Sequence, residues 1–512
     1  VQKYLAGTTN RLLSFEVLEP DNKGQVSRPP THFVATFYDY TNNRVITAQG
    51  KLNNTIVDKV IESFFQPVPV REEFDLAVST LKRDHRFGPA LRAGTLAIYH
   101  PMPPVISDEN SNGHGDRIIT VGLMGDATSE IQNEIVGVNL SRGGIERFAG
   151  NAPPASRADG GSCGTPVDAN QQTSSNAVGQ HQLIVSQGET ELWRMTVIRP
   201  ANRSSGTRGS GIELRDVKYR GKSVLKRGHA PVLNVKYGQD ECGPYRDWQY
   251  EEGMFQTPAG STDLAPGIRS CPSPATTALE NGTDTGNFRG VAIYTQNNET
   301  VLVTELEAGW YRYIMEWRLG HDGSIRPRFG FGAVRDSCIC STHHHHVYWR
   351  LDFDVVGTTN RVYVSERGKK FLIPQSTEFS MLRNYATNRR LVIQNSSGSE
   401  GYILNPSVTD GNADTFGVGD MWVLRYRDTG TTAVQQELDD GFNQVQSQNA
   451  FIHIGTMFVN GESILDQDLV VWYGAHFVHA GEPPSFNPNR DGSIEVLSGN
   501  HVVGPDLRPI QW

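Results

Sequence analysis

Beyond residue 176 the chain is a succession of short runs in which apolar residues tend to recur at every second position, separated by Gly, Asn and Asp. GIELRDVKYRGKSVL, ETVLVTELEAGWYRYIMEWRL, HHVYWRLDFDVV, RLVIQN, DMWVLRYRD and DLVVWYGAHFVH all read this way. Side chains two apart on a strand share a face, so this period calls for sheets with a face against a core. A long series of such runs with no helical pattern between them predicts a mainly β protein, built around a large antiparallel β-sandwich.

The pattern ahead of it differs. Residues 1–70 hold LLSFEVLEP and THFVATFYDY and close in a turn-rich stretch around Pro67 and Pro69, which reads as a small α+β N-terminal domain. Residues 71–150 begin with FDLAVSTLKRDHRFGPALRAG, whose apolar spacing suits a helix, and pass into the strand-like RIITVGLM and EIVGVNL. A second small α+β domain is expected there. Residues 151–176, NAPPASRADGGSCGTPVDANQQTSSN, have linker composition. The sandwich is expected over 177–512.

With 512 residues, 52 Gly, 27 Pro and 37% hydrophobic residues, the chain suits a turn-rich globular protein rather than a disordered one or a helical bundle. No apolar run approaches the roughly 20 residues that span a bilayer, and Val1 opens no signal-peptide pattern, so the chain reads as a mature, soluble product. A net charge of −9 with both signs interspersed provides no footprint for nucleic acid. Six N-glycosylation acceptor motifs, at Asn53, Asn139, Asn202, Asn281, Asn298 and Asn395, and five cysteines suggest a secreted glycoprotein. The cysteines, Cys163, Cys242, Cys271, Cys338 and Cys340, are odd in number, which leaves at least one outside any pairing within the chain.

The densest chemistry lies in HHHHVYWRLDFD, residues 343–354. On a strand either His343 with His345 or His344 with His346 presents two imidazoles to one ion. Imidazole suits copper and zinc, and a histidine from elsewhere must complete the set. DLVVWYGAHFVHAGEPP offers His476 and His479, and spacing leaves both open. A solvated strand end and a satisfied structural histidine would account for the same residues without a metal.

These segments together resemble the copper amine oxidase family: the sandwich resembles its catalytic domain, and residues 1–150 its two small preceding domains. In that family a His-x-His strand pair is followed after four residues by Arg-Leu-Asp, and here Arg350, Leu351 and Asp352 select His343 and His345. Its third ligand lies seven residues beyond the Trp of an Asp-aliphatic-Val-x-Trp-Tyr segment; with Trp472 in that place the ligand is His479. RDVKYRGKSVL, NVKYG, MWVLRYR and the final LRP match in the same order. The resemblance implies copper on the three histidines, and a structural calcium on Asp352 and Asp468, whose hard oxygens suit that ion. It also implies a homodimer.

Family members oxidise one of their own tyrosines, in an Asn-Tyr-Asp/Glu context, to topaquinone. Aligned through the following HDGSI turn, Tyr311 takes that position, with Gly309 and Tyr313 also matching. Trp310 replaces the Asn and Arg312 the acid. A guanidinium aimed at the ring would repel an ammonium substrate, whereas a nearby cation also favours tyrosinate. The family's catalytic base is an Asp fourteen residues after a Tyr that hydrogen-bonds the quinone. Here that Tyr is Tyr237, and fourteen residues later stands Glu251, with Glu252 beside it as an alternative; an ordinary solvated acidic turn is the competing explanation. The family's disulfide in this domain has its second cysteine ahead of the cofactor strand, whereas the segment after Cys271 contains none, so the spacing departs from the family; Cys242 is one candidate partner, and the pairing stays open.

The expected activity is therefore oxidative deamination of a primary amine by O2, giving aldehyde, H2O2 and ammonia, with Tyr311, Glu251 and Tyr237 as catalytic residues. Two other functions fit the resemblance. One is a copper enzyme that leaves Tyr311 unmodified and acts on a non-amine substrate. The other is a reused scaffold that catalyses a cyclisation in a biosynthetic pathway, since a fold does not fix a function.

Overall fold

In the computed structural model of the chain, the residues described are 1–18, 31–54, 56–63, 67, 69–99, 116–125, 129, 133–147, 165–168, 178–200, 210–237, 245–247, 252–281, 285–308, 311–335, 343–367, 375–413, 419–426, 459, 461–479, 486–488, 494–496 and 501–512.

The alternating segments near the N-terminus form a four-stranded antiparallel sheet of Asn10–Leu18, His32–Asp39, Arg44–Lys51 and Val57–Ser63. A second four-stranded sheet, Leu96–Tyr99, Ile118–Gly125, Asn133–Asn139 and Ile145–Arg147, follows two helices. The expected single helix comes as two, Arg71–Arg83 and Gly88–Ala93. Between them the Asp84 carboxylate accepts the backbone N–H groups of Arg86 and Phe87, which turns the chain, and Pro89 starts the next helix, where its missing N–H costs nothing. Ala77 and Leu81 then pack on Val121 and Leu123 of the sheet.

The sandwich has two sheets. The first runs, in spatial order, Gln180–Gln187, Thr190–Ile198, Ser210–Tyr219, Lys222–Tyr237, His343–Phe353, Leu469–His479, Met421–Arg425 and Phe379–Met381. The central part of the second is Val291–Gln296, Glu299–Ala308, Tyr311–Gly320 and Ile325–Arg335, continued by Asp506–Ile510. Two-residue turns explain how single apolar runs become hairpins. In GIELRDVKYRGKSVL, Tyr219 pairs with Lys222 around Arg220 and Gly221, both at positive φ (48° and 79°), a turn whose twist matches that of the strands it joins. In ETVLVTELEAGWYRYIMEWRL, Ala308 pairs with Tyr311.

One apolar core fills the space between the sheets and includes Trp193, Trp317 and Trp349. Two of these indoles bind across it. Trp193 Nε1 donates to the Gly320 carbonyl at 2.9 Å and Trp317 Nε1 to that of Ile212 at 3.1 Å, so neither buried N–H is left unsatisfied. Within the stretch of linker composition, Thr165–Asp168 is a strand, parallel to Ile325–Arg335.

The histidine strand, 343–353, lies between Lys222–Tyr237 and Leu469–His479 and is buried on both faces. Val347, Trp349, Leu351 and Phe353 point into the sandwich core, and Tyr348 joins a separate outer cluster with Trp422 and Trp472. Alternation places His343 and His345 inward and His344 and His346 outward.

Candidate metal centre

Strand register brings the inward histidines together. His343 is paired with His479, and His345 with Phe477. Directly paired residues share a face, so the third imidazole joins the first two from the neighbouring strand. All three are buried, His343 and His345 completely. His479 Nδ1 and His343 Nε2 are 3.0 Å apart, and the His343 and His345 ring centroids are 5.0 Å apart. The contact is an imidazole–imidazole hydrogen bond, and two nitrogens each about 2.0 Å from a shared ion in tetrahedral geometry would stand about 3.3 Å apart, so a small separation of the rings would admit a metal. Burial lowers the His479 pKa from 6.5 to about 4, which keeps the ring in the neutral, ligating form. His345 Nδ1 faces the Tyr313 hydroxyl at 3.4 Å, and its ring stacks on Phe477 with centroids 4.9 Å apart. Three buried imidazoles on one sheet face suit copper.

His345 does not close the set at the same spacing as the other two. Among the described residues, the group of three carboxylate, thiol or imidazole donors that all lie within 4.8 Å of one another is Asp352, Asp354 and Asp468. Asp352 and Asp468 are the two expected from the family resemblance; Asp354 is a third, and the Asp-Phe-Asp spacing that puts 352 and 354 on one strand face is its signal in the sequence. Hard carboxylate oxygens in that number suit a calcium-type cation.

Tyr311 faces the histidines from the other sheet. Its ring is fully buried, with its centroid 4.9 Å from that of His345, 5.7 Å from His343 and 5.4 Å from Tyr313. Phe331 closes the group, edge-on to Tyr311 at 5.8 Å. Arg312 does not point at this ring. It alternates to the opposite face, where it is fully buried, donates to the Tyr311 carbonyl at 2.8 Å and stands 3.6 Å from the carboxylate of Glu307, its cross-strand partner. The possibility of a guanidinium aimed at the phenol is thereby corrected. Gly309 and Trp310 lie outside the described residues.

The backbone of Tyr237 is paired with His343, while its side chain, like the whole of Glu251, lies outside what is described. Glu252 is engaged elsewhere. It is fully buried, and both oxygens accept from Arg199, at 2.7 Å from Nε and 2.5 Å from Nη2. Such a two-point charged bond holds the carboxylate as the counter-ion of Arg199 and disfavours it as the base. A Cβ at Gly267 would fall 2.2 Å from this guanidinium at a backbone φ of +65°, so a side chain there would both strain the backbone and displace the arginine. Arg199 escaped sequence reading because no local pattern links residues 53 apart.

Cys271 is a buried free thiol, so the pairing with Cys242 does not form; the other four cysteines lie outside the described residues. Asn139 and Asn395 are buried, their amides donating to Asp116 at 2.8 Å and to Glu400 at 2.7 Å, whereas Asn53, Asn281 and Asn298 are exposed. Asn202 lies outside the described residues.

By sequence, no protein-family model and no curated protein matches the chain. By structure, the chain has the copper amine oxidase fold over about 99% of its length. It is similar to a copper-containing benzylamine oxidase from Hansenula polymorpha, at 13% identity and a TM-score of 0.59, covering 99% of this chain and 94% of that one. An Aspergillus nidulans amine oxidase matches at 16% identity and a TM-score of 0.51, covering 99% and 86%. Pichia pastoris lysyl oxidase matches at 12% identity and a TM-score of 0.53, covering 98% and 86%. At these identities the likeness is one of fold.

Proposed function

We propose that this chain is a copper-dependent oxidase that deaminates a primary amine with O2, releasing aldehyde, H2O2 and ammonia, and that its organic cofactor is a quinone made from Tyr311. The observation that carries this reading is the placement of a fully buried tyrosine against His343 and His345, which share a sheet face with His479. His343, His345 and His479 would hold the copper. When bound, copper with O2 supplies the oxidising chemistry that an adjacent phenol needs to become a quinone, and the quinone accepts the electrons of the amine.

The chain's own residues prepare that chemistry. Phe331 and Phe477 wall the histidines and, with the buried Tyr313, keep water from the Tyr311 ring. The Tyr313 hydroxyl meets His345 Nδ1, which leaves Nε2 as the nitrogen for a metal. Arg312, behind the strand and paired with Glu307, holds the Tyr311 carbonyl and does not oppose an ammonium group at the ring face. Glu251 remains the proposed proton acceptor, because Glu252 is bound to Arg199. Asp352, Asp354 and Asp468 would hold a calcium ion with a structural role. A homodimer and a secreted location belong to the same reading, and a monomeric mass in solution would remove the former.

The test is aerobic copper loading of the purified, metal-free chain, followed by visible absorbance and trapping with a hydrazine. A coloured, hydrazine-reactive protein supports the reading. A colourless, copper-loaded protein that takes up no hydrazine refutes the quinone.

A further inference from the structure

On the outer face of the two ligand strands stands a second histidine pair that the proposed reaction does not use. His346 and His476 are register partners, both buried, with their Nδ1 atoms 2.9 Å apart. His476 Nε2 lies 2.9 Å from the Gly419 carbonyl oxygen and 3.1 Å from Asp420 Oδ1. The Gly419 carbonyl accepts from this nitrogen, and the Asp420 carboxylate stands beside it. His476 Nδ1 faces His346 Nδ1, and one hydrogen between the two nitrogens joins the rings across the strands.

Asp420 is itself anchored. Its Oδ2 accepts the backbone N–H of Arg383 at 2.6 Å, and its Oδ1 is 3.3 Å from the Arg383 guanidinium. That buried guanidinium also donates to the carbonyls of Asp410 at 2.9 Å and Gly411 at 2.7 Å. Arg383 follows the edge strand Phe379–Met381, and Asp420 immediately precedes Met421–Arg425, the neighbour of the His479 strand. A continuous polar chain, Arg383 to Asp420 to His476 to His346, thus runs from the sheet edge to the two ligand strands. It ends three residues from the His343–His479 pair.

We propose that His476 is a positioning residue for the metal centre: held at Gly419 beside Asp420, it bonds His346 across the strands and so fixes the register at which His343 and His479 face each other. A slip of one residue would turn every side chain of a strand to the opposite face, so a polar pin on the outer face protects the inner one. This rests on the copper reading above.

The experiment compares the full-length wild type with His476→Leu and His476→Gln, measuring Cu(II) affinity by chelator competition, the Cu(II) electron paramagnetic resonance spectrum and Tm. The leucine variant is expected to lose about tenfold or more in copper affinity and to change the spectrum. The glutamine variant, which retains a donor and an acceptor, is expected to recover most of both. Val471→Ala, a cavity in the same strand, is expected to lower Tm and leave the spectrum as in wild type. If His476→Leu does not fold, His476→Asn, polar but too short to join both neighbours, carries the same comparison. Wild type that binds copper, with variants of unchanged affinity and spectrum, would overturn the inference and leave the copper reading standing. Wild type that binds no copper would sink both.

Discussion

At His479, burial alone moves an ordinary imidazole pKa of 6.5 to about 4. Above pH 6.5 the ring is neutral in the folded and unfolded states alike and stability is unaffected. Between 6.5 and about 4 only the unfolded chain takes up the proton, so stability falls as pH falls. For the metal-free protein the expected loss over that window is about 3 kcal/mol, read as a shift in urea midpoint, and His479→Gln should lack it. Tyr311→Phe keeps the ring and removes the oxidisable hydroxyl. Copper binding should survive in that variant while the quinone absorbance and hydrazine uptake vanish. Much of this was legible one residue at a time: alternation left His343 with His345 or His344 with His346 as the pair, the family resemblance chose the first, and the Asp-Phe-Asp spacing held the signal for Asp354. The Arg199–Glu252 bond was not legible, because the fold alone brings those residues together.

The tyrosine hairpin shows what an element adds to its residues. Arg312 departs from the acid that the family resemblance leads one to expect, and its meaning depended on which face it occupied. The period of two implied the face opposite Tyr311, but the partner, Glu307, follows from the hairpin register that pairs Ala308 with Tyr311. Arg312→Glu would restore an acid while setting two buried carboxylates against each other, and is expected to cost about 3–5 kcal/mol. Adding Glu307→Arg should return much of that loss, a coupling that a double-mutant cycle in urea measures. Turns decide modification in the same way. Asn298 sits exposed at positive φ (62°) in the turn before the Glu299 strand, whereas Asn139 and Asn395 use their amides inside the fold. In a glycosylating host, glycopeptide mapping is expected to find glycans at Asn53, Asn281 or Asn298 and none at Asn139 or Asn395.

Across the whole molecule, the turn after strand His32–Asp39 meets the helix Arg71–Arg83 at a buried carboxylate, Glu73. Arg117 donates to both oxygens of Glu73, at 2.9 and 2.6 Å, and the Tyr40 hydroxyl reaches the same carboxylate at 2.6 Å. Glu73→Ala would leave the Arg117 charge buried without this counter-ion, so a loss of about 3–5 kcal/mol and faster proteolysis of the first 150 residues are expected. The mainly β architecture and the sandwich were readable from the period of two, because that pattern is the imprint of a sheet face on sequence. Which strands become neighbours was not, because non-local pairing leaves no local pattern: the His479 strand lies more than a hundred residues from the histidine strand it joins. That joining places the three histidines in front of Tyr311. The most direct test is the mass of the Tyr311 peptide after copper loading in air and in its absence. An aerobic, copper-dependent gain of oxygen on Tyr311 is the expected result; an unmodified Tyr311 in fully copper-loaded, aerated protein would contradict the proposed function.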